Sequence, residues 1–239
     1  MESRVRAQSA EATLPPATQE RSRASLERVL DATVALLVQR GATGFTVAEV
    51  STLAGVAVGT IYGRVGSKEA LLLAVSAREL DRIDGDMAES LADAAEQGGD
   101  LVDAIAHLID ARLTILTREA TLLRAIIRAA DDYPAAAGRG HTSGSVVQRT
   151  VTDALARVCD RFGIAVTTDD LYWAGDVVEA VATHHLSIGL PDHAAPARRV
   201  DAGEFAQRLT ETVASFLLAR AASPEGRGAA STARLSPRA

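Results

Sequence analysis

The stretch that decides the fold is residues 45–68, FTVAEVSTLAGVAVGTIYGRVGSK. Thr46 has a side chain suited to capping a helix, and Glu49 follows at the spacing of a capping box. Val47, Val50, Leu53 and Ala54 then give that helix one apolar side. Gly55 permits a tight turn, and Val58, Ile61, Tyr62 and Val65 mark a second short helix. Ser67 is placed to cap the next helix directly. Two short helices joined at a glycine and braced by longer ones describe a helix-turn-helix, whose second helix enters the DNA major groove.

Around that stretch stand Gly41, Phe45-Thr46-Val47, Ala54-Gly55-Val56-Ala57, Gly59-Thr60-Ile61-Tyr62 and Ser67-Lys68-Glu69-Ala70-Leu71-Leu72. From Leu26 to Val75 this pattern strongly resembles the signature of the TetR family of bacterial transcriptional regulators. Two positions depart from it. Val65 stands where the family usually has an aromatic, and Arg64 where it often has histidine or another polar residue. The first bears on local packing and the second on what is gripped or read on DNA.

Length and composition bound the rest. At 239 residues the chain suits one large domain or two small ones. Hydrophobic residues make up 47% and aromatics only 3%, so alanine, leucine and valine must fill the core. Alanine and leucine are strong helix formers. No apolar run approaches the length that spans a bilayer. The start is polar, without a signal-peptide core. The single cysteine, Cys159, excludes an internal disulfide and fits a reducing compartment, so a cytoplasmic location is expected. The net charge of -6 speaks against nucleic acid until its distribution is considered. Residues 21–68 hold six cationic and three anionic side chains, a local balance of +3. A basic head on an acidic body suits a protein that offers one end to phosphates.

Along the chain, residues 1–20 read as a disordered tail, with Pro15-Pro16 and no periodicity. A helix is expected from about Ala24 to Arg40, buried through Leu26, Val29, Leu30, Val34, Leu37 and Val38 and closed at Gly41. A long helix from Lys68 passes Gly85 and ends at Gly98-Gly99. Two helices follow, one opened by Asp100 and one over about 119–130, stopped before Pro134. The small, glycine-rich 135–144 reads as an irregular loop, and 145–161 as a helix. Thr167 and Asp170 form a second capping box, opening a helix to about Ile188; the last runs over about 201–222. Residues 223–239 read as a disordered tail. The expectation is an all-α fold of about nine helices: a three-helix helix-turn-helix head, 21–68, and a six-helix body, 69–222.

In the second short helix, Val56 and Ile61 should face the core, with Val58, Gly59, Thr60, Tyr62, Gly63 and Arg64 nearer the DNA. Thr46 at the head of the first belongs to the same set. By resemblance, Thr60 and Tyr62 match positions that commonly contact phosphate or bases, and Lys68 one that grips the backbone. Arg64 could reach guanine or a phosphate equally well. The resemblance also implies a homodimer through helices near 168–188 and 201–222, bound to a pseudo-palindromic operator, and a body that encloses a pocket for a small, mostly hydrophobic effector. Candidate pocket residues are His107, Leu108, Arg112, Ile115, Ile126, Tyr133, Trp173, Val177 and His184. No metal or cofactor is expected: the histidines lack ligand spacing, and adjacent His184-His185 point about 100° apart on a helix. No catalytic constellation is present, so the expectation is a non-enzymatic regulator, a repressor foremost. An activator, or a regulator without a ligand, is the alternative.

Overall fold

The computed structural model describes residues 16–133, 137–184 and 201–223. Among these there are eight helices and no strand: α1 (Pro16–Arg40), α2 (Val47–Ala54), α3 (Val58–Val65), α4 (Lys68–Ala95), α5 (Leu101–Asp132), α6 (Ala137–Arg161), α7 (Thr168–Thr183) and α8 (Ala202–Ala221). In the head, α1 packs on α2 and α4, and α3 sits between α2 and α4; in the body, α4, α5 and α6 pack together, with α7 on α6 and α8 on α5 and α7.

Local chemistry sets most of the boundaries. The Thr46 hydroxyl accepts from the Glu49 N–H, and the Glu49 carboxylate accepts from the Thr46 N–H at 2.8 Å, the reciprocal capping box. Ser67 caps α4 by accepting from the Ala70 N–H, and Asp100 caps α5 from the Asp103 N–H. Thr167 and Asp170 close the second box at α7. Gly41 ends α1 at φ 74°, and Gly55 turns the chain between α2 and α3 at φ 63°, a region where other residues are strained.

Several elements differ from the sequence expectation, each for a visible reason. Helix α1 begins at Pro16, so residues 16–20 are helical; proline suits a first helical turn, where its missing N–H is not needed. The expected pair of helices after Asp100 is one helix of 32 residues, because Thr117 and Arg118 contain no breaker. The body therefore has five helices among the described residues, not six. Residues 137–144 belong to α6 rather than to a loop. Their glycines disfavour a helix, but packing on α4 and a buried bond from the Ser143 hydroxyl to Asp84 Oδ1 at 2.5 Å prevail. Helix α4 runs through Gly85 unbroken. The reading of 185–188 as helix, and of 1–15 and 224–239 as tails, lies outside the described residues.

One apolar core runs from the head into the body. Leu37, Ile61, Leu71, Leu72 and Val75 close the head, and Met87, Leu91, Ile105, Ile109, Leu155 and Leu217 close the body. Val38 and Leu53, expected inside, are exposed, and Leu36 is buried instead. Cys159 is a small core residue, and burial pushes its thiol up to about 12, so it remains protonated.

Candidate nucleic-acid interface and body cavity

The packing of α3 sorts its side chains into two faces. Val56 and Ile61 are buried, Val65 is partly buried against the core, and Val58, Gly59, Thr60, Tyr62, Gly63 and Arg64 are exposed. Thr46 is exposed at the start of α2. Tyr62 is 46% exposed rather than packed on α1. A Cβ added at Gly59 or Gly63 would meet nothing within 4 Å. The head's own packing therefore does not require these two glycines.

The cations of this face are held in defined places. Arg64 donates from Nη1 to the Ser22 carbonyl at 2.7 Å and from Nη2 to the Ser22 hydroxyl at 2.9 Å, tying the end of α3 to α1. Lys68 donates to the Phe45 carbonyl and lies 4.4 Å from the centre of the Phe45 ring. Burial pulls its ammonium below its usual pKa, with Glu49 acting the other way. Arg28 Nε donates to the Ala54 carbonyl at 3.2 Å, satisfying the C-terminus of α2. Arg40 pairs with Glu49 at 2.8 Å. The backbone N–H and hydroxyl of Thr46, and then Arg40, hold the Glu49 carboxyl below its ordinary value.

An ionic ladder joins head to body. Arg78 on α4 reaches Glu27 and Asp31 on α1, each at 2.9 Å, and the buried Glu79 at 2.6 Å. Glu79 also takes Arg82 at 3.1 Å, and Arg82 binds Glu119 on α5 through two nitrogens, at 3.1 and 2.8 Å. Arg118 completes it with bonds to Glu119 and Asp86. The bonds from Arg82 hold the Glu119 carboxyl below its ordinary value, outweighing its burial, with help from Arg118.

In the body, α4, α5, α6 and α7 line a partly open cavity of ≈ 170 Å³. Leu80, Ile83, Met87, Leu116, Ile126 and Val147 give it apolar walls, and Arg112, Glu179 and Asp84 contribute charge. Arg112 is buried and binds Glu179 through Nε at 2.6 Å and Nη2 at 2.8 Å. Of the nine expected pocket residues, Arg112 and Ile126 line this cavity. The others lie elsewhere. Leu108 lies one turn before Arg112 on the same side of α5 and borders a separate void of only ≈ 10 Å³, and Ile115 is buried in the core. His107 is half-buried, 3.8 Å from Asp103; Tyr133 ends α5; Val177 packs on the core; His184 and Trp173 are exposed. Sequence reasoning named no residue of the α4 and α6 walls and missed the partner of Arg112. The signal for that partner was Glu179, a carboxylate on a helix otherwise rich in small and apolar residues.

Helices α7 and α8 expose Tyr172, Trp173, Val181 and Leu218. Within the subunit, Arg220 Nε donates to Asp170 at 2.6 Å, locking the two helices together. Burial opposes ionisation of Asp170, but the Thr167 hydroxyl and N–H, and Arg220, keep its pKa low. Among the described residues, no group of three or more His, Cys, Asp or Glu could hold a metal ion, and no helix is long and apolar enough to cross a membrane.

A helix-turn-helix head joined through a shared helix to a helical body with an internal cavity defines a DNA-binding transcriptional regulator. Residues 29–75 match the family model described as "Bacterial regulatory proteins, tetR family", and the fold is the all-α one of TetR-family structures. Similar solved structures support the fold. A TetR-family regulator from Mesorhizobium loti aligns with a TM-score of 0.64 at 19% identity, over 83% of this chain and 97% of that one. A transcriptional regulator from Streptomyces coelicolor A3(2) gives 0.59 at 17%, over 80% and 98%. FadR from Bacillus subtilis, in complex with stearoyl-CoA, gives 0.55 at 16%, over 80% and 97%. No curated protein matches the sequence.

Proposed function

We propose that the chain is a sequence-specific, homodimeric repressor that leaves its operator when a small, mostly apolar ligand enters the body cavity. The observation behind it is the exposed face of α3, where Val58, Gly59, Thr60, Tyr62, Gly63 and Arg64 stand clear of the core on a capped, buried frame. Hydroxyls and cations there position phosphates, and the bare backbone at Gly59 and Gly63 allows close approach to the groove. One such helix spans only a few base pairs. Pairing two subunits through the apolar faces of α7 and α8 would present two heads to a pseudo-palindrome with half-sites about 34 Å apart, one turn of DNA. On this reading residues 21–68 bind DNA and 69–222 dimerise and regulate.

The cavity sets the size of the effector. FadR from Bacillus subtilis was solved with stearoyl-CoA, whereas the ≈ 170 Å³ here is close to the roughly 150 Å³ cavity known to accept benzene. The ligand acts by preferring one body conformation, and it shifts the equilibrium only by its difference in affinity between the two. Helix α4 caps on Ser67 beside α3 and supplies the cavity wall at Leu80, Ile83, Asp84 and Met87, so one rod touches both sites.

Footprinting on the DNA upstream of the gene tests the DNA half of the proposal. The expected result is protection of an inverted repeat, on one face of the duplex, by the dimer. Uniform protection that any competitor DNA removes would defeat it.

A further inference from the structure

If α3 lies in the major groove, a reading on which this inference rests, its side chains also specify which bases it reads. From Val47 to Ser67 the chain has no Asn, Gln, Lys, His or Asp. The usual readers of adenine are therefore absent, and those of cytosine reduce to Glu49. Glu49 is committed to the Thr46 N–H and hydroxyl and to Arg40. The hydroxyls of Ser51 and Thr52 on α2 go to backbone carbonyls. Guanine is read above all by Arg or Lys. Of the head's cations, Arg64 turns to the Ser22 carbonyl and hydroxyl, Lys68 to the Phe45 carbonyl, Arg28 to the Ala54 carbonyl and Arg40 to Glu49. Arg21 and Arg23 are exposed on α1, outside the helix that enters the groove.

What remains on α3 is short and largely apolar. Successive helical residues turn by about 100°, which sets Gly59 and Gly63 in the middle of the face opposite the buried Ile61. Val58 and Tyr62 flank them on one side, Thr60 and Arg64 on the other. Short side chains reach base edges only when the helix lies close, and two bare positions one turn apart permit that approach. The hydroxyls of Thr60 and Tyr62 both donate and accept, so they position the helix without choosing between bases. The groups left to discriminate are the methyls of Val58 and Thr60, both in the first turn, the part of a recognition helix that meets base edges. Thymine is the one base that offers an apolar group in the major groove, its C5 methyl. We propose that each operator half-site is recognised through thymine methyl groups packed against Val58 and the methyl of Thr60, with no hydrogen bond directed at guanine.

Fluorescence anisotropy of the full-length protein on the footprinted repeat tests this with two base analogues. Deoxyuridine in place of thymidine deletes only the methyl, and 7-deazaguanine in place of guanine deletes the N7 acceptor that an arginine would use. Uracil throughout both half-sites should weaken binding by about fourfold for each methyl contacted, or about fifteenfold for one in each half-site, from the transfer free energy of one buried carbon. Uracil confined to the spacer, and 7-deazaguanine anywhere, should leave the affinity unchanged. In Val58→Ala and in Thr60→Ser, which remove packing methyls but keep the helix and the hydroxyl, the uracil effect should shrink. A change in duplex flexibility alone would not produce that non-additivity. Half-sites without thymine, no loss with uracil, an equal loss with uracil in the spacer, a loss with 7-deazaguanine, or a uracil effect of the same size in both variants would overturn the inference and leave the DNA-binding reading standing. A protein that protects no repeat and prefers no duplex would overturn both.

Discussion

At the scale of single residues, Gly59 separates stability from function. It lies inside α3 with open space where a side chain would go, so the folded head gains nothing from its being glycine. Gly59→Ala should stabilise the protein by up to about 0.5 kcal/mol, since alanine loses less backbone freedom than glycine even in the first turn of a helix. If the bare backbone serves approach to DNA, the same change should weaken operator binding. Thermal unfolding and operator titration on one variant check the opposite signs. Arg64 is the second case. Both of its terminal nitrogens are spent on Ser22 of α1, so its role in the free protein is to orient α3. Arg64→Ala should therefore weaken binding to every single-base variant of the operator by a similar factor. A loss confined to particular base pairs would show instead that it leaves Ser22 to read a base.

At the scale of helices, the ladder from Glu27 and Asp31 through Arg78, Glu79 and Arg82 to Glu119 fixes the tilt of α4 between head and body. Glu119 titrates below its ordinary value in the folded chain. Its contribution is thus complete above the unfolded value of about 4.3 and is lost as pH falls through the lower folded one. Glu119→Gln should cost about 1.5–3 kcal/mol at neutral pH, the range for hydrogen bonds to charged groups. Denaturant unfolding at several pH values should show that gap closing below about pH 4. A constant gap would mean packing, not charge, holds α4 to α5. This ladder is not legible in the sequence, because it depends on the rotation of α4 against two partners far away in the chain. The caps are legible: Thr46, Ser67, Asp100 and Thr167 act on N–H groups three residues away, so spacing alone identifies them. The same contrast explains the cavity. Arg112 stands out as a charge on an apolar helix, but the α6 wall is hidden in glycine-rich residues that only tertiary packing makes helical.

At the scale of the whole molecule, the exposed Trp173 and Val181 on α7 and Leu218 on α8 lie apart from the subunit's own core and are available to a second copy. Val181→Glu should leave the helical content unchanged, yield monomers in sedimentation, and cost most of the operator affinity, since a lone head spans half a site. A monomeric wild type that still binds the full inverted repeat would exclude the dimer. The claim on which everything else depends is sequence-specific DNA binding by the α2–α3 head. Fluorescence anisotropy of the wild-type protein on its upstream inverted repeat and on a scrambled duplex, over a series of salt concentrations, addresses it directly. The expected result is a preference of at least about 10³ for the inverted repeat near physiological salt, with affinity for both duplexes falling steeply as salt rises. Equal affinity for the two duplexes at every salt concentration would contradict it.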